Sequence, residues 1–191
     1  MAEPIIIVSG LPRSGTSLMM RILEVGEVPI LTDGRRAADE DNPRGYYEYE
    51  PVKRLKDDQH WLPAAQGKAV KIISELLLYL PATYAYQVIF MQRALPEVLA
   101  SQRQMLLRRG KPADPAADAE MAQLFTKHLQ RVEAWLGRQP SLQTCFISYN
   151  DLLRDPAPSI DRVNTFLGGR LNTQQITSVI DPNLYRQRMD T

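Results

Sequence analysis

Pro4-Ile-Ile-Ile-Val-Ser-Gly-Leu-Pro-Arg-Ser-Gly-Thr-Ser-Leu-Met-Met-Arg-Ile-Leu-Glu24 is the stretch that decides the fold. Ile5 to Val8 is an unbroken apolar run, the pattern of a strand buried on both faces of a parallel sheet. Gly10 to Gly15 reads as a tight turn. From Thr16 onward, Leu18, Met19, Ile22 and Leu23 recur at helical spacing. Strand, glycine-bounded loop and helix in that order aim the N–H groups of a helix N-terminus at one point. Those donors lack intrahelical partners and lie at the positive end of the helix dipole, so they suit a phosphate-like anion.

The spacing matches the phosphate-binding pattern G-x-x-x-x-G-K-[ST] at Gly10, Gly15 and Ser17, with Thr16 in place of the lysine. The mobile ammonium that would reach β- and γ-phosphates is therefore missing, and a cation appears inside the loop as Arg13. Pro12-Arg13-Ser14-Gly15-Thr16-Ser17 resembles the 5′-phosphosulfate loop of sulfotransferases, above all the tyrosylprotein and bacterial branches. The resemblance implies that Arg13, Ser14, Gly15, Thr16 and Ser17 grip the 5′ end of 3′-phosphoadenosine 5′-phosphosulfate (PAPS). It also implies a product, 3′,5′-bisphosphoadenosine (PAP). The plainer alternative is an ordinary strand-turn-helix with a chance pair of glycines.

Outward from this segment, 191 residues are most simply one domain, spanning 1–191, with enough chain to bury a substantial core. Lys plus Arg is 23 against 22 Asp plus Glu, a net charge of +1, so no nucleic-acid surface is expected and any anion site must be local. The single cysteine, Cys145, cannot form an internal disulfide or a cysteine-based zinc site, and no metal is expected. The N-terminus lacks the pattern of a secretory signal, and no apolar run approaches a membrane span. A cytoplasmic protein is the expectation.

Further strands are expected at Lys68–Ile73, Tyr86–Met91 and Gln143–Ser148, and Pro29–Leu31 reads as a short strand or a connector. Helices are expected from the turn holding Pro96 to about Arg109, from Asp114-Pro115 to about Leu136, over Ser159–Leu167 and over Asn172–Ile180. A short helix is expected from Val52, Leu55 and Lys56 to Trp61-Leu62-Pro63. Residues 32–46 carry turn signals and charge without an apolar period, the character of a functional loop. Strands alternating with helices imply an α/β fold: a mostly parallel central sheet flanked by helices, with ligands at the carboxyl ends of its strands. The resemblance names this the P-loop NTPase-like sulfotransferase fold.

Arg93 follows the third strand, and Ser101 comes eight residues later, inside the next helix. The pair resembles the family's 3′-phosphate motif, a forked permanent cation and a hydroxyl donor directed at one phosphate. The structural alternative is an arginine at a strand end paired with a nearby carboxylate. Tyr149-Asn-Asp-Leu152 resembles the family's Tyr-x-Asp-Leu segment, which implies that Tyr149 lies near the adenine. Its alternative is a partly buried structural tyrosine.

Sulfuryl transfer requires an acceptor hydroxyl, a base for its proton and cations at the departing oxygen, much as phosphoryl transfer does. Arg13 with the loop N–H groups serves the leaving side. Asn42-Pro-Arg-Gly-Tyr-Tyr-Glu48 resembles the Asn-Pro-x-Gly-aromatic-aromatic-Glu segment of bacterial members, which implies Glu48 as the base, with Asp33 second. His60 and His128 fit no family motif, and His128 reads as a core residue. The implied reaction is transfer of a sulfuryl group from PAPS to a hydroxyl acceptor that the sequence does not name. Two alternatives stay open at this point: a P-loop kinase or NTPase, and a catalytically silent nucleotide-binding relative.

Overall fold

The computed structural model describes residues 3–35, 39, 45–112 and 117–180. Asn42, Pro43, Arg44, Asp114, Pro115, Arg186 and Arg188 lie outside them. Four strands form one sheet: β1 (Ile5–Gly10), β2 (Ala69–Lys71), β3 (Tyr86–Gln92) and β4 (Leu142–Ser148). Their order is β2-β1-β3-β4 and every pairing is parallel. β1 is central: Ile7 pairs with Val70 on one side and Val88 on the other, and all six of its residues are buried. The unbroken apolar run follows from this, because a strand flanked on both edges and covered on both faces has no solvated side.

Alternate residues of β1 enter two cores. Ile6 and Val8 pack with Met19, Met20, Ile22 and Leu23 of α1 (Thr16–Val25) and with Leu152, Ile160 and Val163 beyond β4. Ile5 and Ile7 pack on the opposite face with Leu55, Leu62 of α2 (Leu62–Ala65), Leu77, Phe90 and Val132. Each fully buried aliphatic side chain contributes roughly 1.5–3 kcal/mol relative to exposure.

The chain runs from β1 through α1 to β2 on one side. After β3 it continues through α3 (Leu95–Arg108) and α4 (Ala117–Leu136) to β4 on the other side. The carboxyl ends of β1 and β3 therefore flank the point where strand order reverses, the crevice where open α/β sheets take their ligands. α5 (Tyr149–Arg154) and α6 (Pro156–Phe166) follow β4.

Two expected helices take a different form. The Val52 region is a 3-10 turn at Glu50–Arg54. Within Asn172–Ile180 only Ile176–Val179 is helical, again as 3-10. Asn172 spends its carboxamide on the N–H of Gln174, a local turn that competes with helix capping. Pro29–Leu31 joins the β2 edge by a single parallel bridge between Ile30 and Ala69.

Candidate functional site

The loop from Gly10 to Gly15 depends on two glycines. A β-carbon at Gly10 would lie 2.5 Å from Ser14 Oγ and 2.6 Å from the Met91 carbonyl oxygen. One at Gly15, where φ is +94°, would lie 2.2 Å from the Tyr149 ring. Ser14 turns into the loop and donates to the Leu11 carbonyl at 2.7 Å. Gly15 caps α1 without a side-chain hydrogen bond, and no acidic residue lies in the first turn. The positive end of α1 is thus uncompensated by a carboxylate of its own first turn.

Arg13 adopts φ +69°, a left-handed conformation that costs a non-glycine residue of order 1–3 kcal/mol. Two long-range contacts hold it there. Its Nε donates to Ser101 Oγ at 3.0 Å, and its carbonyl accepts from an Arg93 guanidinium N–H at 3.0 Å. Arg13, Arg93 and Ser101 are therefore brought together, with Arg13 between the other two.

Arg93 also has a structural commitment. Its Nε donates to Glu97 Oε2 at 3.0 Å, and the two side chains are only 6% and 3% exposed. Asn150 Nδ2 donates to Glu97 Oε1 at 2.9 Å, and the guanidinium lies 4.6 Å from the centre of the Tyr149 ring. Tyr149 stands between Gly15 and Arg93, supporting the loop from beneath, and burial pushes its hydroxyl pKa up. The helix that carries Tyr149 and Asn150, α5, is capped by Ser148, whose hydroxyl accepts from Asp151 N–H at 3.1 Å.

At the other end of the loop, Lys71 extends from the carboxyl end of β2. Its Nζ donates to Ser17 Oγ at 3.4 Å and to the Tyr46 carbonyl, and it lies 5.8 Å from the centre of the Tyr46 ring. Ser17 also donates to that carbonyl, at 3.4 Å. An ammonium from the neighbouring strand thus stands beside Ser17, next to position 16. Reading motif positions along the chain missed Lys71. The available signal was one lysine inside the apolar run Ala69-Val-Lys-Ile-Ile73.

The segment 45–49 passes over this pair. The Glu48 carbonyl accepts from Thr32 Oγ1 at 2.9 Å and from Asp33 N–H at 3.2 Å, so Glu48 is anchored two residues beyond the Tyr46 carbonyl that meets Lys71. Asp33 accepts from the N–H groups of Glu50 (2.8 Å) and Arg35 (3.1 Å), which hold its carboxyl below the usual range. That makes it a loop brace and a weak base.

The model of one family, described as the sulfotransferase domain, matches residues 3–188. The chain belongs to this family. Among solved structures, sulfotransferase STF1 from Mycobacterium tuberculosis aligns with a TM-score of 0.61 at 17% identity, over 94% of this chain and 71% of that one. A sulfotransferase from Alicyclobacillus acidocaldarius gives 0.54 at 16%, over 96% and 89%. Mouse SULT7A1, complexed with PAP, gives 0.53 at 16%, over 93% and 62%. No curated protein sequence matches significantly. Identities this low carry the fold, which is the parallel sheet already described.

In this sulfotransferase the two histidines sit in unlike surroundings. His60 is fully exposed beside Asp58, at 3.1 Å. His128 of α4 is half-buried, and its Nε2 lies 2.8 Å from the buried hydroxyl of Ser74. Burial lowers its pKa from 6.5, with Arg131 acting in the same direction and Glu75 opposing, so the ring is neutral at pH 7. No helix among the described residues is long and apolar enough to cross a membrane.

Proposed function

We propose that this sulfotransferase moves a sulfuryl group from PAPS to an acceptor hydroxyl. The observation that carries the reading is the row of donors along the switch-point crevice. Arg13 is clasped by Ser101 and Arg93 at one end, the open N-terminus of α1 lies in the middle, and Lys71 with Ser17 stands at the other. Cations, hydroxyls and helix-end N–H groups are the donor set that a nucleotide with anionic groups at both its 3′ and 5′ positions calls for. PAPS supplies the activated sulfuryl group and departs as PAP.

The family's 3′-phosphate pair, Arg93 and Ser101, is assigned here together with Arg13, which touches both. Ser14, Gly15, Thr16 and Ser17 hold the 5′ end, and Tyr149 shapes that loop from below. Lys71, Arg13 and the α1 N–H groups offset the negative charge that grows on the departing oxygen. Glu48 takes the proton of the acceptor hydroxyl.

Lys71→Met tests the electrostatic part. Removing one preorganised donor to a developing oxyanion typically costs 10²–10³-fold in turnover. The variant is expected to lose about that much in a sulfate-transfer assay while its far-UV circular dichroism stays unchanged. Undiminished turnover would remove Lys71 from the mechanism.

A further inference from the structure

Arg93 is aimed from three sides. Its Nε faces Glu97 Oε2 at 3.0 Å, a guanidinium N–H reaches the Arg13 carbonyl at 3.0 Å, and its central carbon lies 4.6 Å from the centre of the Tyr149 ring. A guanidinium is planar and its N–H groups diverge at fixed angles, so these contacts set the direction of every donor it carries.

Of the three, the contact with Glu97 is the one that a four-residue spacing leaves loose. The last torsion of a glutamate side chain is broad, and its two oxygens are equivalent, so a carboxylate can turn while keeping a cation beside it. Here the second oxygen is held from elsewhere: Asn150 Nδ2 donates to Glu97 Oε1 at 2.9 Å, across 53 residues of chain. With one oxygen on Arg93 and the other on Asn150, the plane of the carboxylate is fixed. The side chain is 3% exposed, so little water competes for either bond.

The turn from β4 into α5 places Asn150 for this. Ser148 caps the helix by accepting from Asp151 N–H at 3.1 Å, and the next two residues serve the same guanidinium. Tyr149 lays its ring against it, and Asn150 holds its counter-ion. The amide supplies a donor without a charge. An aspartate at 150 would meet Glu97 as a like charge. Asn150 also fills the unspecified place in Tyr149-Asn-Asp-Leu152, so the motif assigns it no part.

We infer that Asn150 is a positioning residue for the 3′ end of the nucleotide: through Glu97 it sets the direction of Arg93, and with it the preference for a 3′-phosphate. This rests on the proposed use of PAPS and adds a residue that sets donor specificity without touching the donor. The effect belongs to binding and not to the transfer step.

The test reads the ratio of PAP to 5′-AMP affinity by calorimetry. Asn150→Leu is expected to cut the ratio by about tenfold, the scale of one displaced charge-assisted hydrogen bond, and to leave 5′-AMP binding unchanged. In PAPS hydrolysis, which needs no added acceptor, KM for PAPS should rise by a similar factor while kcat stays constant, the pattern of lost uniform binding. In the Arg93→Met/Glu97→Leu background the same substitution is expected to change nothing further, because the groups through which Asn150 acts are gone. Asn150→Ser, whose hydroxyl stops short of Glu97, carries the same expectation without an added apolar group and guards against a variant that does not fold.

An unchanged ratio in Asn150→Leu and Asn150→Ser overturns the inference. So does an equal loss in the Arg93→Met/Glu97→Leu background, or a fall in 5′-AMP affinity that matches the fall for PAP, since both mark a general loosening of the fold. A native protein that binds PAP no better than 5′-AMP is a separate result: it defeats the proposed function, and the role of Asn150 falls with it.

Discussion

Glu48→Gln is expected to lower turnover by about 10²–10⁴-fold and to leave PAP binding unchanged, the range a positioned general base contributes. The substitution keeps the shape of the side chain and removes its capacity to take a proton. Its backbone anchors are untouched, because Thr32 and Asp33 bond the Glu48 carbonyl, a main-chain group. A loss of activity would therefore report the carboxylate and not a displaced loop. Glu50→Gln is the matched control. Glu50 is exposed and paired with Lys53 at 2.8 Å, a surface ion pair of a type worth about 1 kcal/mol or less. Full activity in Glu48→Gln, with loss in Asp33→Asn or His60→Ala, would reassign the base.

The second large effect falls on stability. Glu97→Leu removes the carboxylate that faces the buried Arg93 guanidinium at 3.0 Å and accepts from Asn150 at 2.9 Å. Breaking one partner of a buried ion pair typically costs about 3–5 kcal/mol, because the remaining charge stays in a low-dielectric site. Urea unfolding should show that loss as a lowered midpoint at unchanged slope. The loop should suffer with it, since Arg93 also holds the Arg13 carbonyl and covers Tyr149. Arg93→Met/Glu97→Leu removes both charges and is expected to be more stable than Glu97→Leu alone. A cost below about 1 kcal/mol for the single variant would mean that the pair is solvated in solution.

The fold was legible because its strongest signals are local and periodic. Ile5–Val8 is apolar without interruption because β1 is central, and Leu18, Met19, Ile22 and Leu23 repeat at the spacing of the α1 face that covers it. The glycines of the first loop were legible for a related reason: Gly10 and Gly15 mark places where a β-carbon would strike a neighbour. The short helix expected around Val52 and Leu55 is a 3-10 turn over Glu50–Arg54, since so short a segment fits either form.

The site was legible in its parts and less so in its wiring. Arg93 and Ser101, eight apart, read as one anion-binding pair, yet Arg13 stands between them through contacts spanning 80 and 88 residues. Lys71 was hidden because it reaches Ser17 from a neighbouring strand and occupies no motif position. The Arg93–Glu97 spacing of four residues was visible. Whether such a pair is a solvated helix-surface contact or a buried support depends on what packs above it, here Tyr149.

The most direct test of donor recognition is thermal stabilisation by PAP, 5′-AMP and Mg-ATP at equal concentration. Only PAP among them carries a 3′-phosphate, and charge-assisted hydrogen bonds contribute roughly 1.5–3 kcal/mol each. PAP is expected to bind more than about tenfold more tightly than 5′-AMP and to raise the melting temperature the most, with Arg13→Ala reducing the difference. Equal shifts from PAP and 5′-AMP, or a larger shift from Mg-ATP, would contradict sulfuryl transfer from PAPS.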